Sequence, residues 1–374
     1  MKEAGLLERG IESLAALLGE DWTVTQRPQR DASVFDALLE VRPVGDSAYT
    51  QLMVDVKQRL TPRQADTVLA AKAALLREVN NYSNLMIVAP WLSAATQKVL
   101  SEHGISYLDL TGNIALRVAR PAIVIRMVGA TRAPRSEAAE RSKTTLAGAK
   151  AGRLVRLLAD VAPPHRATDL HRATELSLPY VSRLLDALED ELLIRRDGRL
   201  IRDVQWEGVL RARAAESPLL ARNSYTGVLA PNGVPMLLDQ ISDLAEVEPA
   251  VFEGLAVTGT YAASRVAPVA VGGQLMFHVA PWLDIDTLVE DLGLIPVEEG
   301  ADVLLLRAPD AFVFEGARII DGLQHVALSQ LVLDCLAGPG RMPAEGEAVL
   351  RYMSEHLDRW RSSSKRERSA QASF

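Results

Sequence analysis

Three polar residues on two short apolar stretches form the first pattern able to do chemistry. Asp36 lies in the apolar run 34–41, and Asp55 and Lys57 stand in the DVK that closes the run 51–56. Side chains alternate across a β-strand, so Asp55 and Lys57, two residues apart, share a face. If Asp36 comes alongside, two carboxylates could hold Mg²⁺, a hard cation that prefers oxygen ligands. The lysine would then orient a metal-bound water for attack on a phosphodiester. Glu12 and Glu40 are further candidate ligands. The competing reading is a polar strand face with no chemistry, because two acids and a lysine at loose spacing are common.

A second pattern is ATDLHRATELSLPYVSRLLDALEDELLIRRDGRLIR, residues 167–202. Thr168 is placed to cap a helix over 169–174, residues 175–177 make a turn, and a second helix runs over 178–192. Val181, Leu184, Leu185 and Leu188 give that helix one buried face. Tyr180, Ser182 and Arg183 then point outward near its N-terminal end, where a recognition helix reaches base edges. Segments 193–196 and 199–202 flank Asp197-Gly198, a strong hairpin signal. The hairpin would carry Arg195, Arg196, Arg199 and Arg202 against phosphates or into the minor groove. Helix, turn, helix and basic hairpin make a winged helix-turn-helix, whose usual ligand is duplex DNA. A helical hairpin used for protein association is the competing reading.

Elements on either side must position these residues. Leu7, Ile11, Leu14 and Leu18 line one face of an opening helix. Apolar runs at 34–41, 51–56, 85–89, 105–110 and 114–118 predict strands. Helices are predicted at 63–79 and 93–103, the second ended by Gly104. Asp109 to Asn113 is read as a tight turn, with a site lined by Asp109 and Asn113 as the alternative. A linker rich in small and charged residues follows at 131–145, then a helix over 146–161 stopped by Pro163 and Pro164.

After the hairpin the sequence predicts a helix over 205–215 and strands at 251–259, 274–279, 303–307 and 311–315. Further helices are expected at 260–266, 285–292 and 326–336. An amphipathic helix over 345–360 would turn Leu350, Met353 and Leu357 inward. Asp284 and Asp286 stand where a helix starts, so they are read as cap and first-turn acid rather than a metal pair. The expected domains are therefore 1–130, an endonuclease-like α/β domain; 146–213, the winged helix-turn-helix; and 214–360, a C-terminal α/β domain. A disordered tail is expected at 361–374.

Composition is that of an ordinary globular protein: 374 residues, 48% hydrophobic and 24% charged. A single cysteine, Cys335, excludes an intrachain disulfide and a cysteine-cluster zinc site. Neither a leader pattern nor a transmembrane run is present at the N-terminus, so a cytoplasmic location and no membrane partner are expected. The net charge of −7 is unevenly spread. Residues 1–140 balance at 16 basic and 16 acidic groups, whereas residues 141–213 have 14 against 10 and residues 214–374 have 11 against 22. The net-basic segment is the one holding the helix-turn-helix.

Two resemblances follow from these residues. The order of Asp36, Asp55 and Lys57 resembles the D…(D/E)xK pattern of restriction-endonuclease-like, or PD-(D/E)xK, folds, which implies a Mg²⁺-dependent nuclease. The winged helix, with VALSQLVLDCLAGPGRMP (326–343) and GNIALRV (112–118), resembles AbiEi-type antitoxins of type IV toxin–antitoxin systems. That likeness covers roughly residues 100–360 and implies an autorepressor whose C-terminal part has antitoxin activity, so a toxin protein is an implied partner. A nuclease-like domain ahead of the winged helix departs from the short members of that family. The leading expectation is a sequence-specific DNA-binding transcriptional regulator, a homodimer on double-stranded DNA. The second is a Mg²⁺-dependent nuclease guided by the winged helix, and the third is a toxin-binding protein.

Overall fold

The computed structural model describes residues 3–28, 35–69, 71–73, 83–131, 146–216, 218–247, 253–269 and 272–363. Most of the expected linker 131–145, the tail beyond residue 363 and much of the expected helix 63–79 lie outside the described residues. The chain divides into two compact units, Met1–Lys143 with Glu189–Leu192, and Thr144–Leu188 with Leu193–Phe374.

The first unit is a seven-stranded sheet in sequential order: β1 (Trp22–Arg27), β2 (Ala37–Pro43), β3 (Thr50–Val56), β4 (Ser83–Ala89), β5 (Ser106–Asp109), β6 (Ile114–Val118) and β7 (Ile123–Met127). Parallel pairing of β3, β4 and β5 is flanked by antiparallel pairs on both sides. Helix α1 (Glu3–Leu18) packs Leu6 and Leu14 against Leu52, Val54 and Val56 on one face. The other face of β3 carries Asp55. There Leu85, Ile87 and Ala89 of β4 pack with Ala65 and Leu69 and with Val99 and Leu100 of α2 (Ala94–Glu102). Ser93 caps α2 by accepting from the Thr96 amide, and Gly104, at φ 65°, follows its end.

Within the expected helix 63–79 the described residues are helical: an α-turn, Pro62–Gln64, a π-helical turn, Ala65–Leu69, and α-helical residues 71–73. Sequence reading missed β1 and β7, the outer strands of this sheet. In β1 the alternation lasts only over Trp22–Thr25, and in β7 most side chains are exposed despite an apolar run.

In the second unit the winged helix comes first: α3 (Ala149–Asp160), β8 (His165–Arg166), α4 (Ala167–Thr174), α5 (Leu178–Asp190), β9 (Ile194–Asp197) and β10 (Leu200–Val204). Its sheet runs β8-β10-β9. Helix α6 (Trp206–Glu216) leads into a seven-stranded mixed sheet of order β14-β11-β15-β13-β12-β17-β16. These strands are β11 (Tyr225–Leu229), β12 (Leu255–Thr258), β13 (Leu275–Val279), β14 (Ile295–Pro296), β15 (Val303–Arg307), β16 (Arg318–Ile320) and β17 (Leu323–His325). The helices are α7 (Val234–Val247), α8 (Gly259–Ser264), α9 (Ile285–Asp291), α10 (Leu328–Leu336) and α11 (Met342–Glu355).

Helix α10 joins the two halves of this unit. Leu328 through Cys335 are all buried, the polar Ser329, Gln330 and Asp334 among them. One side meets α8 and α11, and the other meets α3 and α6. A Cβ at Gly346 of α11 would stand 3.0 Å from the Leu336 amide nitrogen, so the absent side chain allows the two helices to approach closely. A single apolar core therefore runs from Leu154 of α3 to Met353 of α11.

Two local expectations are corrected and a third holds. Segment 311–315 is a 3₁₀ turn, Ala311–Phe314, because Asp310 caps it by accepting from the Phe312 amide. Helix α11 ends at Glu355, and Leu357 in the short turn beyond is 42% exposed rather than turned inward. Asp284 does cap α9, accepting from the Thr287 amide at 2.9 Å.

Candidate nucleic-acid interface and paired-acid site

Helix α5 presents its outward side as its apolar spacing requires. Val181, Leu184, Leu185 and Leu188 are buried, Tyr180 and Ser182 are half-buried, and Arg183 is exposed. The guanidinium of Arg183 lies 5.9 Å from the centroid of the Tyr180 ring, a cation–π distance that brings the two side chains together. The preceding turn is fixed by Glu175, which adopts a left-handed φ of 57° and ends α4. Thr168 does not cap. Helix α4 starts at Ala167 with Arg166 at the cap position and no side-chain cap bond, which leaves Thr168 exposed in the first turn.

The wing is shifted by one residue from the expected hairpin. Asp197 pairs with Leu200, so the two loop residues are Gly198 and Arg199. Gly198 takes φ 58° at the first loop position, where a II′ hairpin needs glycine. Arg199 is thereby carried at the exposed tip. The register slips between Ile201 and Asp203, and Arg202 is the bulged residue. Arg195 is exposed, and Arg202 lies 3.5 Å from Asp197. Arg196 behaves differently: it donates to Asp186 of α5 at 2.6 Å, bracing wing against helix. This arrangement is that of a winged-helix DNA-binding domain.

Comparison agrees on the class. Residues 149–198 match the profile of the IclR helix-turn-helix domain, a DNA-binding domain of transcriptional regulators. A search of curated protein sequences found no match. Among solved structures, the apo form of EndoMS is similar at 19% identity with a TM-score of 0.20, over 29% of this chain and 46% of that one. The chain thus spans less than half the length of that structure. Among the described residues, no helix is long and apolar enough to cross a membrane.

In the first unit, the β2–β3 pairing brings the predicted acids close along the chain register. The Asp36 amide donates to Val54 O at 2.9 Å, and the Asp36 carboxylate accepts from the Val56 amide at 2.7 Å. Asp55 is 3% exposed, with Lys57 Nζ 3.9 Å from its carboxylate. Lys72, which sequence reading did not single out, donates to the same carboxylate at 2.6 Å. Its place in an Ala- and Leu-rich stretch gave no pattern pointing back to Asp55.

Neither further candidate ligand joins them. Glu12 is exposed on α1, which packs on the sheet face opposite Asp55. Glu40 accepts from Arg27 at 2.9 Å and Arg42 at 2.7 Å. Burial opposes its ionisation, but these hydrogen bonds hold its carboxyl below the usual glutamate range. Among the described residues, no group of three or more His, Cys, Asp or Glu could hold a metal ion.

The 109–113 segment is a closed hydrogen-bonded turn. Asp109 accepts from the amides of Leu92, Thr111 and Asn113, from the Thr111 hydroxyl and from Asn113 Nδ2. Asn113 Oδ1 accepts from the Gly129 amide. Both side chains are 2% exposed or less, and their polar atoms are spent on the fold.

Proposed function

We propose that the protein is a sequence-specific DNA-binding transcriptional regulator. The observation that carries this is the outward side of α5, with Tyr180, Ser182 and Arg183 beside a wing tipped by Arg199. In this reading those three side chains address base edges in the major groove, while Arg195, Arg199 and Arg202 lie along phosphates. Arg196 acts through Asp186, holding the wing's angle. Two copies on a repeat, with half-sites about one helical turn apart, would give the affinity that one module lacks. An autorepressor of the antitoxin kind, meeting a toxin through the C-terminal sheet, follows from the resemblance described above. Such a protein would work in the cytoplasm.

Footprinting of the full chain across the DNA around its own gene tests the reading. One or two protected repeats that survive excess non-specific DNA are expected, and uniform weak protection at every sequence would overturn it.

One observation favours a second reading, a Mg²⁺-dependent nuclease. The Asp36 carboxylate, just ahead of β2, accepts from the Val56 amide next to Asp55 of β3, with Lys57 and Lys72 close to Asp55. Asp36 and Asp55 would hold Mg²⁺, whose contribution would be a more acidic bound water, and Lys57 would orient that water. The same DNA incubated with Mg²⁺ and resolved for cut products, beside Lys57→Ala, decides it. Cleavage lost in the variant supports the nuclease, and intact DNA or equal cutting by both proteins removes it.

A further inference from the structure

Between α3, α6 and the C-terminal sheet lies a cavity of about 60 Å³ whose wall includes Arg153, Arg156, Arg213, Arg222, His278 and Gln330. Four guanidinium groups around so small a space are costly unless each is neutralised. Three of them are. Arg153 pairs with Asp310 at 3.0 Å. Arg222 pairs with Asp334 at 2.9 Å, and that carboxylate also accepts from His278, Thr258 and Gln330. Arg156 is surrounded by the carbonyls of Phe312, Val313 and Glu315 and stands 3.5 Å from Asp160.

Arg213 is the exception. It is 6% exposed and donates Nη1 to the Leu146 carbonyl, but no carboxylate pairs with it among the described residues. Its Nε is buried without a hydrogen-bond partner, as is Nδ1 of His278 on the same wall. Burial, with Arg222 nearby, pushes the Arg213 guanidinium down to about 10. The Asp310 and Asp334 carboxylates also face the cavity, and both are already engaged.

We propose that this cavity binds a small oxyanion, a short carboxylate or a phosphate, against Arg213 and Arg222. The volume admits a compact ion and excludes drug-sized molecules. An oxyanion supplies the acceptors that Arg213 Nε lacks, and charge-assisted bonds to guanidinium are the strong kind. Arg153, on the same wall, also donates to the Thr174 carbonyl at the end of α4, one residue before the turn into α5. The ion would thus act as an effector of the helix-turn-helix; this half of the proposal rests on the DNA-binding reading.

The test is thermal unfolding of the full chain, without DNA, in acetate, inorganic phosphate or chloride at equal ionic strength. Acetate or phosphate should raise Tm saturably, by about 5 °C, with chloride inert, and whichever of the two acts identifies the ion. Arg213→Gln removes the cation without a carboxylate partner among the described residues, and Ala149→Leu adds bulk to the cavity wall without deleting a charge. Both should lose the response, and Ala149→Leu remains informative if Arg213→Gln does not fold. A shift equal to that in chloride, or an undiminished shift in Ala149→Leu, overturns the site. If the site stands but the ion changes DNA affinity equally in wild type and Ala149→Leu, only the effector role falls.

Discussion

In the proposed reading Arg183 and Arg199 would carry two tasks that their shared charge conceals. Arg183 stands on the outward side of a rigid helix, backed by the Tyr180 ring, where a bidentate contact to guanine has a defined geometry. Arg199 sits at a two-residue hairpin tip, where no such geometry is imposed. Arg183→Ala should cost about 1–3 kcal/mol at one base position and relax preference there. Arg199→Ala should weaken all sequences alike and reduce the salt slope by about 1. Titrations against a panel of single-base variants at two salt concentrations distinguish them, and identical behaviour of both proteins contradicts the assignment. These two arginines were legible from spacing alone. The role of Arg196 was not, because its pairing with Asp186 depends on the angle between wing and helix.

At the scale of elements, α3 belongs to two structures at once. Leu154, Val155, Leu157 and Leu158 make it the first helix of a winged helix, as the sequence predicts. Arg156 among them is 1% exposed and holds the 3₁₀ turn of the C-terminal part by three carbonyls. The guanidinium also lies 5.3 Å from the Phe312 ring centroid. Arg156→Met would keep most of the volume but leave those carbonyls short of donors and Asp160 without its neighbour. A loss of about 3–5 kcal/mol of unfolding free energy is expected by urea denaturation. A loss under about 1 kcal/mol would mean that water replaces the guanidinium readily. Apolar residues on both sides of Arg156 left it no polar face, which was the available signal. Asp160 stands only four residues on, but the other partners, 156 to 173 residues along the chain, gave none.

At the scale of the whole second unit, acid stability follows from one buried histidine. His325 on β17 is 4% exposed; burial first, then the charges of Arg318 and Arg265, lower its pKa from 6.5 to about 4. Between those values the unfolded chain binds a proton that the folded chain refuses. The resulting stability is present above about pH 6.5 and is lost as pH falls toward 4. The loss between pH 7 and pH 5 should be about 2 kcal/mol. Denaturation of His325→Leu at the two pH values should show a correspondingly smaller loss, and equal losses would assign the acid sensitivity elsewhere. No spacing in the sequence announced this histidine, since burial of a β-strand residue depends on the helices laid over it.

Sequence alone determined what nearest neighbours control. The apolar period of α5, the glycine of the wing, the caps of α2 and α9 and the apolar run within α10 are local, because each rests on bonds or faces within a few residues. Those features were enough to place a basic winged helix in an acidic chain and to name its outward residues. Tertiary structure decided which charges meet. It set Lys72 on Asp55, excluded Glu12 and Glu40, and fused winged helix and C-terminal sheet around α10. It also gathered four arginines at one cavity, one of them without a carboxylate partner among the described residues. Long-range pairing is set by packing rather than by spacing, and packing exists only once the chain has folded.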